Sequence, residues 1–325
     1  MSLRAWPLLL ALPAAALWLC GRATRPPRPA DRARLAGRTF VVTGASSGVG
    51  RGAALELGRS GANVVIAARR LEALENLAAE IENAGGAALA VETDVSETEQ
   101  MRQLASQAIS RFGNIDGWIN NAGVVTVGRF EEIPLKDHLR LLDINLKGQV
   151  IGSYLAMRQF RAQGHGTLIN VGSVDSEIPH AYQGAYSPSK AGVLMLGRVL
   201  NEELRLTGAR DIHVCTVMPW ALDTPLWEHA GNYTGHDAQM PTMDGPDKVV
   251  NAIIQACLEP AREIRVGYKA KLAYWSHRMA PSINERLTGI FTEKGEIEMH
   301  PPAPATPGSV HEPVKAGQGV EGTRG

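Results

Sequence analysis

Residues 39–50 read Thr-Phe-Val-Val-Thr-Gly-Ala-Ser-Ser-Gly-Val-Gly. The first five form a β-branched and aromatic run of strand length, and a helical pattern opens at Val49. Between them, Gly44, Gly48 and Gly50 permit a tight turn and a close backbone approach. The first N–H groups of the incoming helix have no intrahelical partner, so strand, turn and helix together make a cradle for a diphosphate. Alone, the pattern is also what any glycine-rich strand-to-helix loop looks like.

Outward from this turn the same alternation continues. Apolar runs lie at 39–43, 63–67, 87–91, 115–120, 166–172, 212–217 and 264–267. Helical patterns lie between them at 49–60, 71–84, 97–112, 135–163, 185–207 and 246–258. Short buried strands separated by helices require parallel pairing with right-handed crossovers. The expected fold class is therefore α/β: a doubly wound, parallel, seven-stranded sheet of Rossmann type with helices on both faces. One domain should cover 36–268, and its ligand should lie beyond the carboxyl ends of the strands.

Composition agrees with a packed domain and excludes other classes. Of 325 residues, 44% are hydrophobic, and 33 Lys and Arg balance 33 Asp and Glu, which gives no electrostatic case for a nucleic-acid partner. Cys20, Cys215 and Cys257 lack any metal-binding or disulfide spacing, so the last two should be buried free thiols of a reducing compartment. No metal site is expected: His229 and His236 stand apart from any further ligand.

The ends depart from this middle. Residues 5–20 are apolar and are followed by Arg22, Arg25, Arg28, Arg32 and Arg34 among prolines. The run is short for a spanning helix and carries Pro7 and Pro13. Two readings stay open: a membrane anchor that leaves the folded domain facing the cytosol, or a cleaved signal that leaves a soluble protein. Residues 1–35 are thus an apolar segment with a basic linker, 269–299 an amphipathic extension, and 300–325 a Pro/Gly-rich disordered tail.

Several polar groups fall at strand ends on the nucleotide side. The second strand ends at Ala68 and is followed by Arg69 and Arg70, where an NAD site would place a carboxylate for the ribose hydroxyl. An arginine there suits a 2′-phosphate, so NADP is the expected cofactor and NAD the lesser candidate. Both arginines would equally suit the start of a solvated helix. The third strand ends at Asp94-Val95 and the fourth at Asn120-Asn121-Ala122-Gly123. Asp94 could instead cap the next helix.

With these pieces in place the chain resembles the short-chain dehydrogenase/reductase family, in its compact single-domain branch. The resemblance rests on the turn at 43–50, Asp94-Val95, the Asn-Asn-Ala-Gly run at 120–123, Asn145, Ser173, and Tyr186-Ser187-Pro188-Ser189-Lys190. They occur in the family's order across 36–268. Tyr186 and Lys190, four apart on a helix, share one face, and a neighbouring ammonium lowers a phenol's pKa. Tyr186 is then a candidate acid or base, and Ser173 a group that polarises the substrate oxygen.

The resemblance implies more. Tyr186 would exchange the proton with a carbonyl or alcohol, Lys190 would hold the nicotinamide ribose, and Asn145 would support a proton relay. Gly44, Ser46, Ser47, Gly48, Val49, Gly50, Arg69, Asp94, Val95, Asn121, Ala122 and Gly123 would line the cofactor site, joined by Tyr186, Lys190, Pro219, Leu222 and Thr224. The family pattern has Pro-Gly where this chain has Pro219-Trp220. Trp220 either narrows the pocket or packs beneath the following loop.

Residues 225–245 should form a lid, and their aromatic and methionine content suggests an apolar substrate. Residues 268–287 mix bases with Leu272, Tyr274, Trp275 and Met279, suited to an anionic membrane surface, to the domain itself or to a second subunit. A homo-oligomer is expected. The rival function is a non-catalytic nucleotide-binding sensor or scaffold of the same fold, which would normally lack one of the reacting groups.

Overall fold

The computed structural model describes residues 25–314 and 316–323. The expected segment 5–20 lies outside them, as does Cys20. A short helix, α1 (Pro29–Ala33), leads into β1 (Thr39–Thr43). Then follow α2 (Gly48–Arg59), β2 (Asn63–Ala68), α3 (Leu71–Asn83), β3 (Ala87–Glu92), α4 (Thr98–Phe112) and β4 (Gly117–Asn120). After a two-residue strand β5 (Thr126–Val127) come α5 (Leu135–Leu142), α6 (Gly148–Gln163), β6 (Gly166–Val171), α7 (Tyr186–Leu206) and β7 (Ile212–Met218). The remainder comprises β8 (Gly231–Asn232), α8 (Asp247–Leu258), β9 (Glu263–Arg265), α9 (Gly267–Met279) and α10 (Pro281–Phe291).

Seven strands form one parallel sheet in the order β3-β2-β1-β4-β6-β7-β9. The chain winds outward from β1 to β3, then returns to β4 beside β1, so the switch point lies between Thr43 and Asn120. Successive strand residues enter opposite cores. Val42, Val64 and Ile66 pack with Leu57, Leu74 and Ile253 on one face. Val41, Val65 and Ala67 pack with Met101, Leu104 and Phe160 on the other. A sheet covered on both faces explains why its strands read as continuous apolar runs.

A buried polar network fixes the centre of the sheet. Asn120 Nδ2 donates to Asn170 Oδ1 at 2.9 Å, and Trp118 Nε1 donates to Asn120 Oδ1 at 2.8 Å. Cys215 and Cys257 are buried free thiols, and burial pushes both up to about 12.

Three local features differ from the sequence expectation. The single helix expected over 135–163 is interrupted by a π-helical turn, Asp143–Lys147, around Asn145. Such a turn costs little helical periodicity and marks functional positions. β5 and β8 pair as a second, two-stranded parallel sheet whose length is too short to leave a pattern. The segment from 300 onward is expected to be disordered, but its described residues, 300–314 and 316–323, pack across the domain, with bridges Asn232↔Thr306 and His236↔Pro302. Its partners are mostly met through its own backbone, which leaves no periodic signal. Among the described residues, no helix is long and apolar enough to cross a membrane.

Candidate active site

The glycine turn is locked to the fourth strand by short polar groups. Gly44 has φ +67, and a Cβ there would lie 2.7 Å from the Ala122 Cα, so only glycine fits. Asn121 Nδ2 donates to Thr43 O at 3.0 Å and Gly44 O at 3.2 Å, while Thr43 Oγ1 accepts from Asn121 N at 3.1 Å. Asn121 thus fastens the turn from behind. Gly50 abuts the same amide and lies outside the cavity.

The remaining expected cofactor residues, from Gly44 to Thr224, line one cavity of about 690 Å³ together with Ser173, Tyr186 and Lys190. Asn145 sits behind its wall. Its Nδ2 donates to Val124 O and its Oδ1 accepts from Val124 N, both at 2.8 Å, and the amide also reaches Ser189 Oγ at 3.3 Å. The π turn therefore aims this side chain at the strand-end loop. Gly123 lies between the two elements: a Cβ there would meet Asn145 Oδ1 at 3.4 Å and Lys190 Nζ at 3.6 Å.

The first turn of α7 presents Tyr186, and Lys190 follows one turn later on the same face. Lys190 Nζ donates to Val171 O at 3.0 Å and lies 5.6 Å from the Tyr186 ring centroid. Tyr186 hydrogen-bonds the Ser173 hydroxyl, which also accepts from Asp175 N at 3.1 Å. Burial, with the Asp175 charge beside it, raises the Tyr186 pKa above its ordinary value despite the Ser173 bond. Burial likewise brings Lys190 down to about 8. The expected lowering of the phenol by its lysine is thus corrected. Burial of the hydroxyl and the nearby Asp175 carboxylate both oppose phenolate formation, and in this site they prevail. In this form Tyr186 holds its proton.

Asp94 is not the cap of α4, whose N-cap is Glu97. Its Oδ1 accepts from Ser96 N at 3.0 Å and Ser96 Oγ at 2.7 Å, and its Oδ2 pairs with Arg140. Burial opposes ionisation there, but these partners outweigh it and hold the carboxyl below the usual range. Arg70 donates to Ser46 Oγ and Ser47 Oγ, each at 3.0 Å, and Thr224 covers Gly48 at the start of α2. Trp220 lines the cavity, and its Nε1 donates to Thr242 O at 2.7 Å.

The substrate end contains a group that sequence reasoning missed. His180 is buried between Asp175, Nδ1 to Oδ1 3.5 Å, and Glu296, Nε2 to Oε2 3.1 Å, with Thr292 Oγ1 at 3.0 Å. Burial favours the neutral ring, yet the two carboxylates prevail and raise it to about 10. The protonated imidazole ties the loop after β6 to the π turn Thr292–Glu298 that follows α10. No short motif signals this pairing, because its members are 116 residues apart. Glu177 faces away and pairs with Arg265 and Arg198. Around the cluster, Ile178, Trp227, Met240, Leu272, Leu287 and Phe291 make an apolar wall. Among the described residues no group of three or more His, Cys, Asp or Glu side chains is arranged to hold a metal.

Comparison with known proteins agrees with this geometry. A short chain dehydrogenase family model matches residues 38–233. The chain belongs to the short-chain dehydrogenase/reductase family and is an NAD(P)-dependent oxidoreductase. It is similar to an uncharacterised oxidoreductase, YxnA, of Bacillus subtilis, with 34% identity over 78% of this chain and 72% of that protein. It is also similar to the 3beta-hydroxysteroid dehydrogenase 1 of Eggerthella lenta, with 39% identity over 59% of this chain and 73% of that one. Among solved structures, a short-chain dehydrogenase from Streptomyces avermitilis superposes with TM-score 0.66 and 27% identity, covering 79% of this chain and 97% of the other. An alcohol dehydrogenase from the archaeon Thermococcus sibiricus, complexed with 5-hydroxy-NADP, superposes with TM-score 0.59 and 25% identity over 70% and 93% of the two chains.

Proposed function

We propose that this enzyme interconverts a carbonyl and a secondary alcohol on an apolar substrate, with NADP(H) as its cofactor and Tyr186 as acid and base. One observation carries the reading. Tyr186, bonded to Ser173, stands where a cavity with cationic and N–H donors at one end acquires an apolar wall at the other.

The residues present suit the dinucleotide. Arg69 and Arg70 form no ion pair among the described residues, and Ser46 and Ser47 lie within reach of Arg70, a donor set fitted to a 2′-phosphate. Gly48 and Val49 open α2 and offer N–H groups to a diphosphate. Asp94, Val95, Ala122 and Gly123 would border the adenosine, and Lys190, Pro219, Leu222 and Thr224 the nicotinamide half. The cofactor supplies or accepts the hydride. Ser173 orients the substrate oxygen, Tyr186 delivers its proton to that oxygen in reduction, and the Lys190 ammonium stabilises the phenolate left behind. The apolar wall favours an apolar ketone or alcohol, a preference in keeping with the steroid substrate named for the Eggerthella relative.

Tyr186→Phe tests the mechanism: turnover should fall at least about a hundredfold, with dinucleotide affinity nearly unchanged. Full activity in that variant would refute it. Comparing Kd for NADPH and NADH tests the cofactor, and tighter NADH binding would overturn that choice.

We infer two further properties of the whole protein. Val150 and Tyr154 of α6 and Met195 and Val199 of α7 form exposed apolar ground suited to a second copy of the chain, which light scattering would detect as a mass above one chain. Trp275 and Met279 are exposed on α9, in keeping with contact between this helix and a lipid surface. Fractionation with and without residues 1–35 separates that contact from the anchor reading of 5–20.

A further inference from the structure

The donors assigned above to the nucleotide's phosphates are already engaged by the far end of the chain. Arg69 Nη1 donates to His311 O and Nη2 to Ser309 O, each at 2.7 Å. Arg70 Nη1 donates to Val314 O at 2.8 Å and Ala316 O at 3.3 Å. The N–H of Gly48, first residue of α2, donates to Gly319 O at 2.8 Å. Three groups from the glycine turn and the end of β2 thus meet five carbonyls of one segment.

That segment is fixed on both sides of the groove. Val310 is fully buried, and His311 Nε2 lies 2.7 Å from Asp137 Oδ1. Farther on, His229 Nε2 meets Ala316 O at 2.8 Å, Val320 packs against Gly52, and Thr323 N donates to Glu228 Oε1 at 2.9 Å. Residues 309–314 and 316–323 therefore cross the adenosine end from the β2 side to the loop over the substrate.

We propose that this C-terminal strap competes with the dinucleotide for Arg69, Arg70 and Gly48, and so sets how strongly the enzyme favours a 2′-phosphate; the proposal rests on the NADP reading of the two arginines. A guanidinium N–H already aimed at a carbonyl cannot also serve a phosphate oxygen at full strength. A guanidinium bonds an anionic phosphate oxygen more strongly than a neutral carbonyl, so phosphate wins locally once the strap has moved. Moving it exposes Val310 and frees the partners on both flanks. Binding is thus an exchange: a 2′-phosphate requires the carbonyls of Ser309, His311, Val314 and Ala316 to leave the arginines, a 5′-diphosphate only that of Gly319 to leave Gly48. The apparent affinity for each is the intrinsic one reduced by the fraction of molecules with those contacts open. The ligand carrying the extra phosphate recovers most, because it alone re-pairs the arginines.

The test uses 2′,5′-ADP and 5′-ADP in calorimetric titrations of three proteins: the full chain, a chain ending at Gly308, and full-length Val310→Asp, which expels the strap by burying a charge. Both altered chains should bind 2′,5′-ADP about tenfold or more tightly than the full chain, as for a strap released about a tenth of the time, with a smaller gain for 5′-ADP. A synthetic peptide of residues 309–323 added to the shortened chain should reverse the gain. In the full chain, hydrogen exchange of 309–323 should rise when 2′,5′-ADP binds. Unchanged or weaker binding in both altered chains, or slower exchange on binding, would overturn the proposal and make the strap a clamp or a bystander. Failure of the NADP reading looks different: 5′-ADP would then bind as tightly as 2′,5′-ADP in every chain. Should the shortened chain fail to fold, Val310→Asp and the exchange measurement decide.

Discussion

The two ends of the cleft are built from different materials. At the nucleotide end, short side chains and backbone N–H groups project from the ends of β1 and β4, and the turn after β1 is held by Asn121 on the adjacent strand end. At the substrate end, long apolar side chains and one buried ionic cluster come from the loop after β6, the loop after β7 and the last helices. The first arrangement is rigid and tolerates almost no added atom. The second is adaptable in shape, and its one inflexible point is His180. A dinucleotide, the same in every turnover, needs the first; an apolar substrate read by volume needs only the second.

This contrast can be broken by substitution. The largest effect should come from His180→Ala, which leaves Asp175 and Glu296 without their shared cation in a buried site. Breaking such a pairing costs about 3–5 kcal/mol, measurable by denaturant unfolding. The pH dependence has a definite sign. The ring's pKa is raised on folding from 6.5 to about 10, so its contribution is complete below about 6.5 and is lost as pH rises through about 10. The wild-type Tm should fall across that window, and the variant should lack this fall.

Next comes Ser173→Ala, which removes the group set to meet the substrate oxygen. A loss in kcat of about 10²–10³-fold is expected, with cofactor affinity unchanged; a loss confined to KM would place Ser173 in binding alone. Gly44→Ala should follow. Its positive φ and the 2.7 Å approach to Ala122 leave no room for a methyl group. A cost of about 1–3 kcal/mol is expected, read as weaker dinucleotide binding or a lower Tm.

A smaller effect concerns pH and rate. Burial lowers Lys190 to about 8, so its charge is present below that pH and lost above it. Tyr186, raised, keeps its proton throughout. Carbonyl reduction should therefore decline as pH rises through about 8, and a flat rate between pH 7 and 9 would contradict the role given to the ammonium.

The sequence made the two ends unequally legible, for the same physical reason. Seven strands with their helices, the glycine turn and the Tyr186–Lys190 pair are local patterns, set by period and spacing within a few residues. Asn145 was found, but the π turn that aims it was not, because one extra residue in a helical turn scarcely alters hydrophobic periodicity. His180 with Glu296, and Arg69 with the carbonyls of Ser309 and His311, join segments more than 100 residues apart. The second pairing uses backbone acceptors, which any residue supplies, so composition suggested only disorder. The direction of the Tyr186 shift was likewise out of reach, since it depends on burial and on Asp175 more than on the lysine four positions away.

The most direct test of the central claim is single-turnover mixing of the enzyme with NADPH and a panel of apolar ketones, followed by nicotinamide absorbance. Wild-type enzyme should consume NADPH with at least one of them, more slowly when the transferred hydrogen is deuterium, and Tyr186→Phe should bind NADPH but not consume it. NADPH bound yet unreacted by the wild type with every ketone, or equal consumption by Tyr186→Phe, would contradict it.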